Sequence, residues 1–90
     1  MASQPITVTS TGNLSVAFKR ITGYSFRETA GDVASIVIRD GGSGGTIVMD
    51  IALAANGADT QPLDPPVLMS RGTPHATVTG TISGTVYGIL

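Results

Sequence analysis

The sequence lacks cysteine and tryptophan, has a single histidine and carries few charges. Without cysteine it forms no disulfide and no thiolate metal site, and with His75 as its only imidazole it lacks the ligands of a conventional zinc site. Charged residues make up 12% of the chain, against a typical ~25%, and the net charge is −1. Nucleic-acid binding needs clustered lysine and arginine. We therefore expect no metal, no cofactor and no nucleic-acid partner.

Long hydrophobic runs are also missing. No segment approaches the ~20 consecutive apolar residues that span a bilayer. The first residues, Met1 to Pro5, lack the basic region followed by an apolar region that is typical of a signal peptide. We therefore expect no membrane partner and synthesis in the cytoplasm.

The polar residues that are present mostly bear hydroxyl groups, with 12 threonines and 8 serines. Threonine suits the pleated, half-buried surface of a β-sheet. The 90 residues correspond to a single domain, residues 1–90. A domain of this size buries a modest fraction of its surface, so without disulfides or a metal its margin of stability is small. We expect it to gain buried area by association with other chains.

The segment from Val33 to Leu53 predicts a β-hairpin. Two apolar, β-branched runs flank the sequence Gly-Gly-Ser-Gly-Gly, and glycine adopts the positive φ angles of a tight reversal. An even-length reversal, such as a two-residue Ser43-Gly44 turn or a four-residue loop, places the apolar side chains of both strands on one face. A slip of one residue would oppose Ile36 to Asp50 and split that face. The predicted buried face comprises Ala34, Ile36, Ile38, Ile47, Met49, Ile51 and Leu53.

The opposite face of this hairpin is chemically mixed, and we expect it to be half exposed. It carries Ser35, Val37, Arg39, Thr46, Val48 and Asp50.

Alternating apolar and polar residues predict further strands before the hairpin. We expect short strands at Ile6 to Val8 and at Leu14 to Lys19, separated by a turn at Thr11 to Asn13. The second strand either continues through Ile21 or bends at Gly23, because glycine within a strand often marks a bulge. The segment from Tyr24 to Arg27 is also expected to be extended.

After the hairpin, Asn-Gly predicts a turn at residues 54–57. We expect a short strand from Ala58 to Leu63, which ends at Asp64-Pro65-Pro66. Since proline cannot donate to a strand ladder, this part lies either at a sheet edge or outside the sheet. A brief strand at Val67 to Met69 and a loop at Arg71 to Pro74 follow.

The last segment alternates strictly to the end of the chain. Either one long strand runs there, or two strands join between Gly80 and Gly84 at a bend between sheets. The total is seven to eight short strands with no convincing helix. This pattern predicts an all-β fold, either an antiparallel β-sandwich or a jelly-roll-like double sheet.

Motifs of catalysis and ligand binding are missing. The loop Gly41 to Gly45 is not followed by the Lys-Ser/Thr pair and the helix of a phosphate-binding loop. No Gly-x-Ser-x-Gly elbow supports a serine nucleophile, so we interpret His75 as an exposed or hydrogen-bonded structural residue. The carboxylates are scattered through turns and strand edges. We therefore predict that the protein is not an enzyme and has no small-molecule substrate.

Six residues are candidates for a protein interface. Tyrosine and arginine are enriched at interface hot spots, which favours Tyr24 and Arg27. The alternative is that Phe26 fills the core while Tyr24 covers a sheet edge. The remaining candidates lie on the second face of the hairpin, and the full set is Tyr24, Arg27, Val37, Arg39, Val48 and Asp50.

One stretch of the chain carries a resemblance to a known group. From Thr22 the chain reads Thr-Gly-Tyr-Ser-Phe-Arg-Glu-Thr-Ala-Gly. An alternating strand ending Arg-Asp-Gly, a glycine-rich turn and a strand ending Ile-Ala-Leu-Ala-Ala-Asn-Gly follow. This order resembles the small β-sandwich virion structural proteins of tailed bacteriophages, which are capsid decoration or minor structural proteins.

The resemblance implies a protein of the virion, assembled in the host cytoplasm and bound to the capsid exterior. Its expected partners are the major capsid protein and copies of itself, with a trimer favoured. The alternative is a tail or fibre-associated module that binds a host receptor or a glycan. A glycan-binding module usually presents an aromatic platform, and the absence of tryptophan disfavours that alternative.

Overall fold

The part of the chain that the structure describes folds into two four-stranded antiparallel sheets packed face to face. The structure, a computed structural model, describes residues 4–14, 19–69 and 73–89. This confirms the predicted all-β, two-sheet class. The strands are β1 (Gln4–Thr7), β2 (Gly12–Asn13), β3 (Arg20–Glu28), β4 (Ala34–Asp40), β5 (Thr46–Leu53), β6 (Ala58–Leu68), β7 (His75–Thr79) and β8 (Ile82–Ile89).

The strand order is that of a jelly roll. Sheet 1 has the order β1-β8-β3-β6, and sheet 2 has the order β2-β7-β4-β5. All pairings are antiparallel, and successive strands alternate between the two sheets except for the hairpin β4–β5. Eight strands wound in this way form the double sheet of the jelly roll. The described part of the chain has no helix that is long and apolar enough to cross a membrane.

The core lies between the sheets and is built by alternate residues of the central strands. Phe26 and Ile21 on β3 and Val86 on β8 are almost fully buried, as are Ile36 and Ile38 on β4. The inward-facing positions of β8 alternate between a large side chain and glycine. Gly84 lies opposite Phe26, and its lack of a side chain leaves room for the Phe26 ring.

The predicted hairpin is β4–β5, and its buried face is confirmed except for Ile47. Ile36 pairs with Ile51, and Ile38 pairs with Met49, as the apolar parity requires. The register then shifts, so that Arg39 pairs with Ile47. This β-bulge leaves Ile47 51% exposed, and the prediction that it is buried was wrong.

The hairpin loop is longer than predicted. Asp40 pairs with Thr46, so five residues separate the paired ends rather than two or four. The bulge makes this odd length possible, because the one extra residue in β5 restores the apolar side chains of both strands to the same face. The parity of the buried face is therefore preserved beyond the bulge.

The first strands differ from the prediction at one point. Gly12 and Asn13 were expected in a turn, but they pair with Ala76 and His75 as the short strand β2. The predicted strand from Leu14 to Lys19 lies largely outside the described residues, although Leu14 itself is buried in the core.

Strand β6 passes through the prolines that were expected to end it. It lies at the edge of sheet 1, one of the two positions expected for this segment, and an edge strand tolerates proline where no ladder bond is needed. Gly23 pairs with Pro62 and Ile21 pairs with Val67, so four residues of β6 lie opposite the single residue Thr22. The predicted separate strand at residues 67–69 is the end of β6.

The two remaining turns follow the sequence signals. The predicted turn at residues 54–57 is confirmed, with Asn56 at a φ of 56°. The alternating C-terminal segment consists of two strands, β7 in sheet 2 and β8 in sheet 1. They join at Gly80, whose φ of 89° suits a residue without a side chain.

Candidate interaction surfaces

The outward side of sheet 2 brings together three of the six candidate interface residues. Val37 lies between Asp50 on β5 and Thr77 on β7, and Arg39 lies opposite His75. Directly paired residues of neighbouring strands share a face. We define the sheet-2 outer face as Asn13, Ser35, Val37, Arg39, Ile47, Asp50, Ala52, His75, Thr77 and Thr79.

Hydrogen bonds hold the polar side chains of this face in place. Arg39 Nη1 donates to Thr77 Oγ1 at 3.3 Å, and His75 Nδ1 lies 2.9 Å from Asn13 Oδ1. His75 is therefore hydrogen-bonded, which was one of the two states expected for it. Side chains that are already fixed lose little conformational entropy when a partner binds.

The sheet-2 outer face is almost neutral. Its charged residues are Arg39 and Asp50, and its apolar residues are Val37, Ile47 and Ala52 among hydroxyl-bearing neighbours. Such a face has no cluster of positive charge for phosphate groups. Its mixture of small apolar and hydroxyl side chains suits a flat protein surface.

Tyr24 faces the interior rather than solvent. Its side chain is 9% exposed and stacks on Phe26, with ring centroids 5.6 Å apart. Its hydroxyl donates to Asp59 Oδ2 at 3.0 Å, and burial together with the Asp59 carboxylate raises the pKa of Tyr24. Phe26 fills the core and the Tyr24 side chain extends to Asp59 on the edge strand β6, which agrees with the alternative interpretation.

A β-bulge explains the orientation of Tyr24. The register of β3 shifts between Ile21 and Gly23, which inserts Thr22 as an extra residue. Because of this insertion, both Ile21 and Tyr24 point inward despite their odd spacing.

The other two candidates lie apart from the sheet-2 outer face. Arg27 is exposed on sheet 1, where it pairs with Ser83, and Val48 packs against the core cluster beside the β5 bulge. The six predicted residues therefore do not form one surface. Ile47, which the sequence analysis assigned to the core, is a large exposed apolar residue of β5.

The outward side of sheet 1 contains a pocket of about 380 Å³ that sequence reasoning missed. Gly23 leaves its floor without a side chain, Tyr87 is 38% exposed, and no lining residue is charged. The one feature of the sequence that pointed to it is Tyr87, which alternates with the apolar residues of the last strand and is therefore expected on the outward face. The lining residues are Thr22, Gly23, Tyr24, Thr60, Gln61, Pro62 and Tyr87.

Glu28 forms a second feature that the sequence did not reveal. Its side chain is 3% exposed and sits at the end of β3. Its carboxylate accepts backbone N–H bonds from Asn56 at 2.8 Å, Ala30 at 2.6 Å, Gly31 at 2.8 Å and Asp32 at 3.1 Å. These bonds, chiefly that from Asn56, lower the pKa of Glu28. The carboxylate thus ties the loop after β3 to the turn after β5.

Within residues 4–14, 19–69 and 73–89, no three histidine, aspartate or glutamate side chains group as a metal site would require. The carboxylate of Glu28 is already engaged by four donors, so its observed role is to hold two loops together.

Comparison of the chain with protein-family models, with curated proteins and with solved structures found no match in any of the three.

Proposed function

We propose that this protein is a virion structural protein of a tailed bacteriophage, which binds the exterior of the assembled capsid together with further copies of itself. The observation that carries the proposal is the jelly-roll strand order, an architecture that recurs in viral capsid domains. A fold by itself does not define a function. The second support is therefore the phage-like order of features from Thr22 to Gly57, which lies in the strands that build both sheets.

The sheet-2 outer face is the surface that we assign to the capsid contact. It is nearly neutral and internally hydrogen-bonded, with Val37 at its centre between Asp50 and Thr77. A ligand that binds only the closed shell raises the free energy needed to open that shell. The protein would then act by binding alone, with the major capsid protein as its partner.

The proposal is tested with particles assembled without this chain, to which the purified protein is added. We expect the protein to sediment with the particles and to raise the temperature at which they release DNA. Val37→Glu should abolish both effects, since it places an unpaired charge at the centre of the contact. Thr85→Glu is the matched control, because Thr85 lies equally half-buried on the central strand β8 of sheet 1.

Two outcomes count against this assignment. If the wild-type protein does not sediment with the particles, the capsid proposal is wrong. If Thr85→Glu abolishes binding and Val37→Glu does not, the contact lies on sheet 1 instead.

A second candidate function, a tail or fibre module that binds glycans, is favoured by the sheet-1 pocket. Tyr87 offers an aromatic ring and Thr60 offers a hydroxyl, and none of the lining residues is charged. This combination suits the apolar face and the hydroxyl groups of a neutral sugar. Titration with neutral disaccharides should then shift the amide resonances of these residues, and Tyr87→Ala should remove the shifts. Unchanged spectra at high sugar concentration would eliminate this candidate.

A further inference from the structure

The four edge strands of the sandwich are not equivalent. Edge strands expose unpaired backbone groups, and proteins usually blunt them with proline, with irregularities or by keeping them short. β1 has four residues and contains Pro5, and β2 has two residues. β6 contains three prolines and the four-against-one irregularity opposite Thr22. The fourth edge, β5, has eight residues and no proline, and its one bulge, at Val48, lies before the segment Met49 to Leu53, which pairs regularly with β4.

The bonding pattern of β7 shows which way the backbone groups of sheet 2 point. Pro74, next to β7, accepts a backbone bond from Leu14, and both backbone groups of Val78 bond to the Thr11 hydroxyl. These alternate residues therefore face β2. In an antiparallel ladder the intervening residues face the other way, so Thr77 directs its backbone groups toward β4.

The same alternation of backbone N–H and C=O directions holds in β4, and it fixes which residues of β5 direct these groups toward the open edge of sheet 2. Val37 pairs with Thr77 and faces β7, so its neighbour Ile36 faces β5 and bonds with Ile51. The N–H and C=O groups of Asp50 and Ala52 consequently point away from the sheet. Both residues are exposed, and no other strand in the described ranges pairs with β5.

We propose that β5 pairs with β5 of a second copy of this chain across a two-fold axis. Since Met49 to Leu53 of β5 is a regular edge segment with neither proline nor bulge, the matching surface on a second copy is the same segment. Two identical strands related by a two-fold axis run antiparallel and form a self-complementary contact. The two copies of sheet 2 then form one continuous eight-stranded sheet.

The position of the axis follows from the charge of β5. Asp50 is the only charged residue of the strand. An axis at Asp50 would place two carboxylates directly opposite each other, which is destabilising. An axis at Ile51 instead pairs Asp50 with Ala52 of the partner subunit and aligns the outward-pointing backbone groups of both copies.

The inference rests on the proposed function, because it gives a defined contact to the self-association proposed there. The β5 pairing can be disproved while binding to the capsid is still observed. It predicts a dimer, whereas the resemblance to phage proteins implied a trimer. Copies concentrated on one particle would pair more readily than copies free in solution.

The test combines sedimentation with amide hydrogen exchange of the full chain, at concentrations from about 10 to about 500 µM. We expect the mass to rise from 9.1 kDa to twice that value. The amides of Asp50 and Ala52 should exchange about tenfold more slowly at the high concentration, while that of Ile51, already bonded to β4, should change little.

Substitutions at one position separate the backbone contact from side-chain effects. Ala52→Pro removes an outward N–H without breaking the bonds to β4 and should remain a monomer at every concentration. Ala52→Ser keeps the N–H and should dimerise like the wild type. If Ala52→Pro does not fold, as judged by circular dichroism, the exchange rates of the wild-type amides decide the question.

Three results would overturn the inference: a wild-type monomer throughout the range, a trimeric mass, or a dimer in which Asp50 and Ala52 exchange as fast as in the monomer.

Discussion

Replacing Ile36 and Ile47 by alanine, one at a time, measures the effect of the bulge in β5 directly. The two substitutions remove the same atoms from the same hairpin. Ile36 is fully buried, whereas Ile47 is 51% exposed. Alternation alone places both residues in the core, so the difference between them depends on the register shift opposite Arg39.

The expected magnitudes follow from burial. Truncation of a fully buried isoleucine to alanine costs about 2 to 5 kcal/mol, from lost apolar burial and the cavity left behind. Ile47 loses only part of that burial and opens no closed cavity, so its truncation should cost about 1 kcal/mol or less. A domain of this size has a total stability of about 5 to 13 kcal/mol, so the first loss is a large fraction of it.

Urea unfolding followed by circular dichroism is the assay. With a slope of about 1 kcal/mol per molar urea, Ile36→Ala should lower the midpoint by about 2 M or more, and Ile47→Ala by about 1 M or less. Equal slopes for both variants and the wild type serve as the control for two-state behaviour. Equal midpoint losses, or a larger loss for Ile47→Ala, would refute the bulge and return Ile47 to the core.

Two further predictions concern Gly84 and Glu28. An added Cβ at Gly84 would overlap the ring of Phe26, so Gly84→Ala should lose about 3 kcal/mol or more in the same assay, while Gly44→Ala, where a Cβ meets nothing, should be tolerated. The pKa of Glu28 is lowered below its ordinary value of 4.5, so its stabilising contribution is complete above pH 4.5 and is lost as pH falls through the lowered value. Glu28→Gln should therefore lower the melting temperature at neutral pH and flatten its fall in acid; an unchanged acid profile would contradict this.

The hairpin was predictable because the physical constraint on it is local. Apolar residues at every second position of β4 and β5 must face the core together, and this alternation is enough to pair Ile36 with Ile51. The bulge was not predictable, since one extra residue in β5 between Ile47 and Met49 leaves both apolar runs intact. The faces of Ile47 and Val48 depend on that single residue.

Elements that depend on distant partners were predicted less well. Gly12 and Asn13 have the composition of a turn, yet they form a strand because β7 lies beside them in the fold. The prolines of β6 suggested an end to the strand, but an edge position removes the need for their missing donors. In both cases tertiary contacts outweigh local preference.

The candidate surface was predicted in part for the same reason. Val37, Arg39 and Asp50 share the sheet-2 outer face because they belong to one hairpin. Tyr24 was proposed because tyrosine is enriched at interfaces, yet it shares the inward face of β3 with Phe26. The pocket beside Tyr87 joins three strands that are far apart in sequence, so no local pattern could reveal it.

The central claim, that the protein decorates a capsid, is tested most directly by locating it on intact phage particles. Immunogold labelling combined with quantitative mass spectrometry of purified particles gives both its position and its copy number relative to the major capsid protein. We predict labelling distributed over the head and many copies per particle. Labelling confined to the tail, with few copies per particle, or its absence from particles, would contradict the proposal.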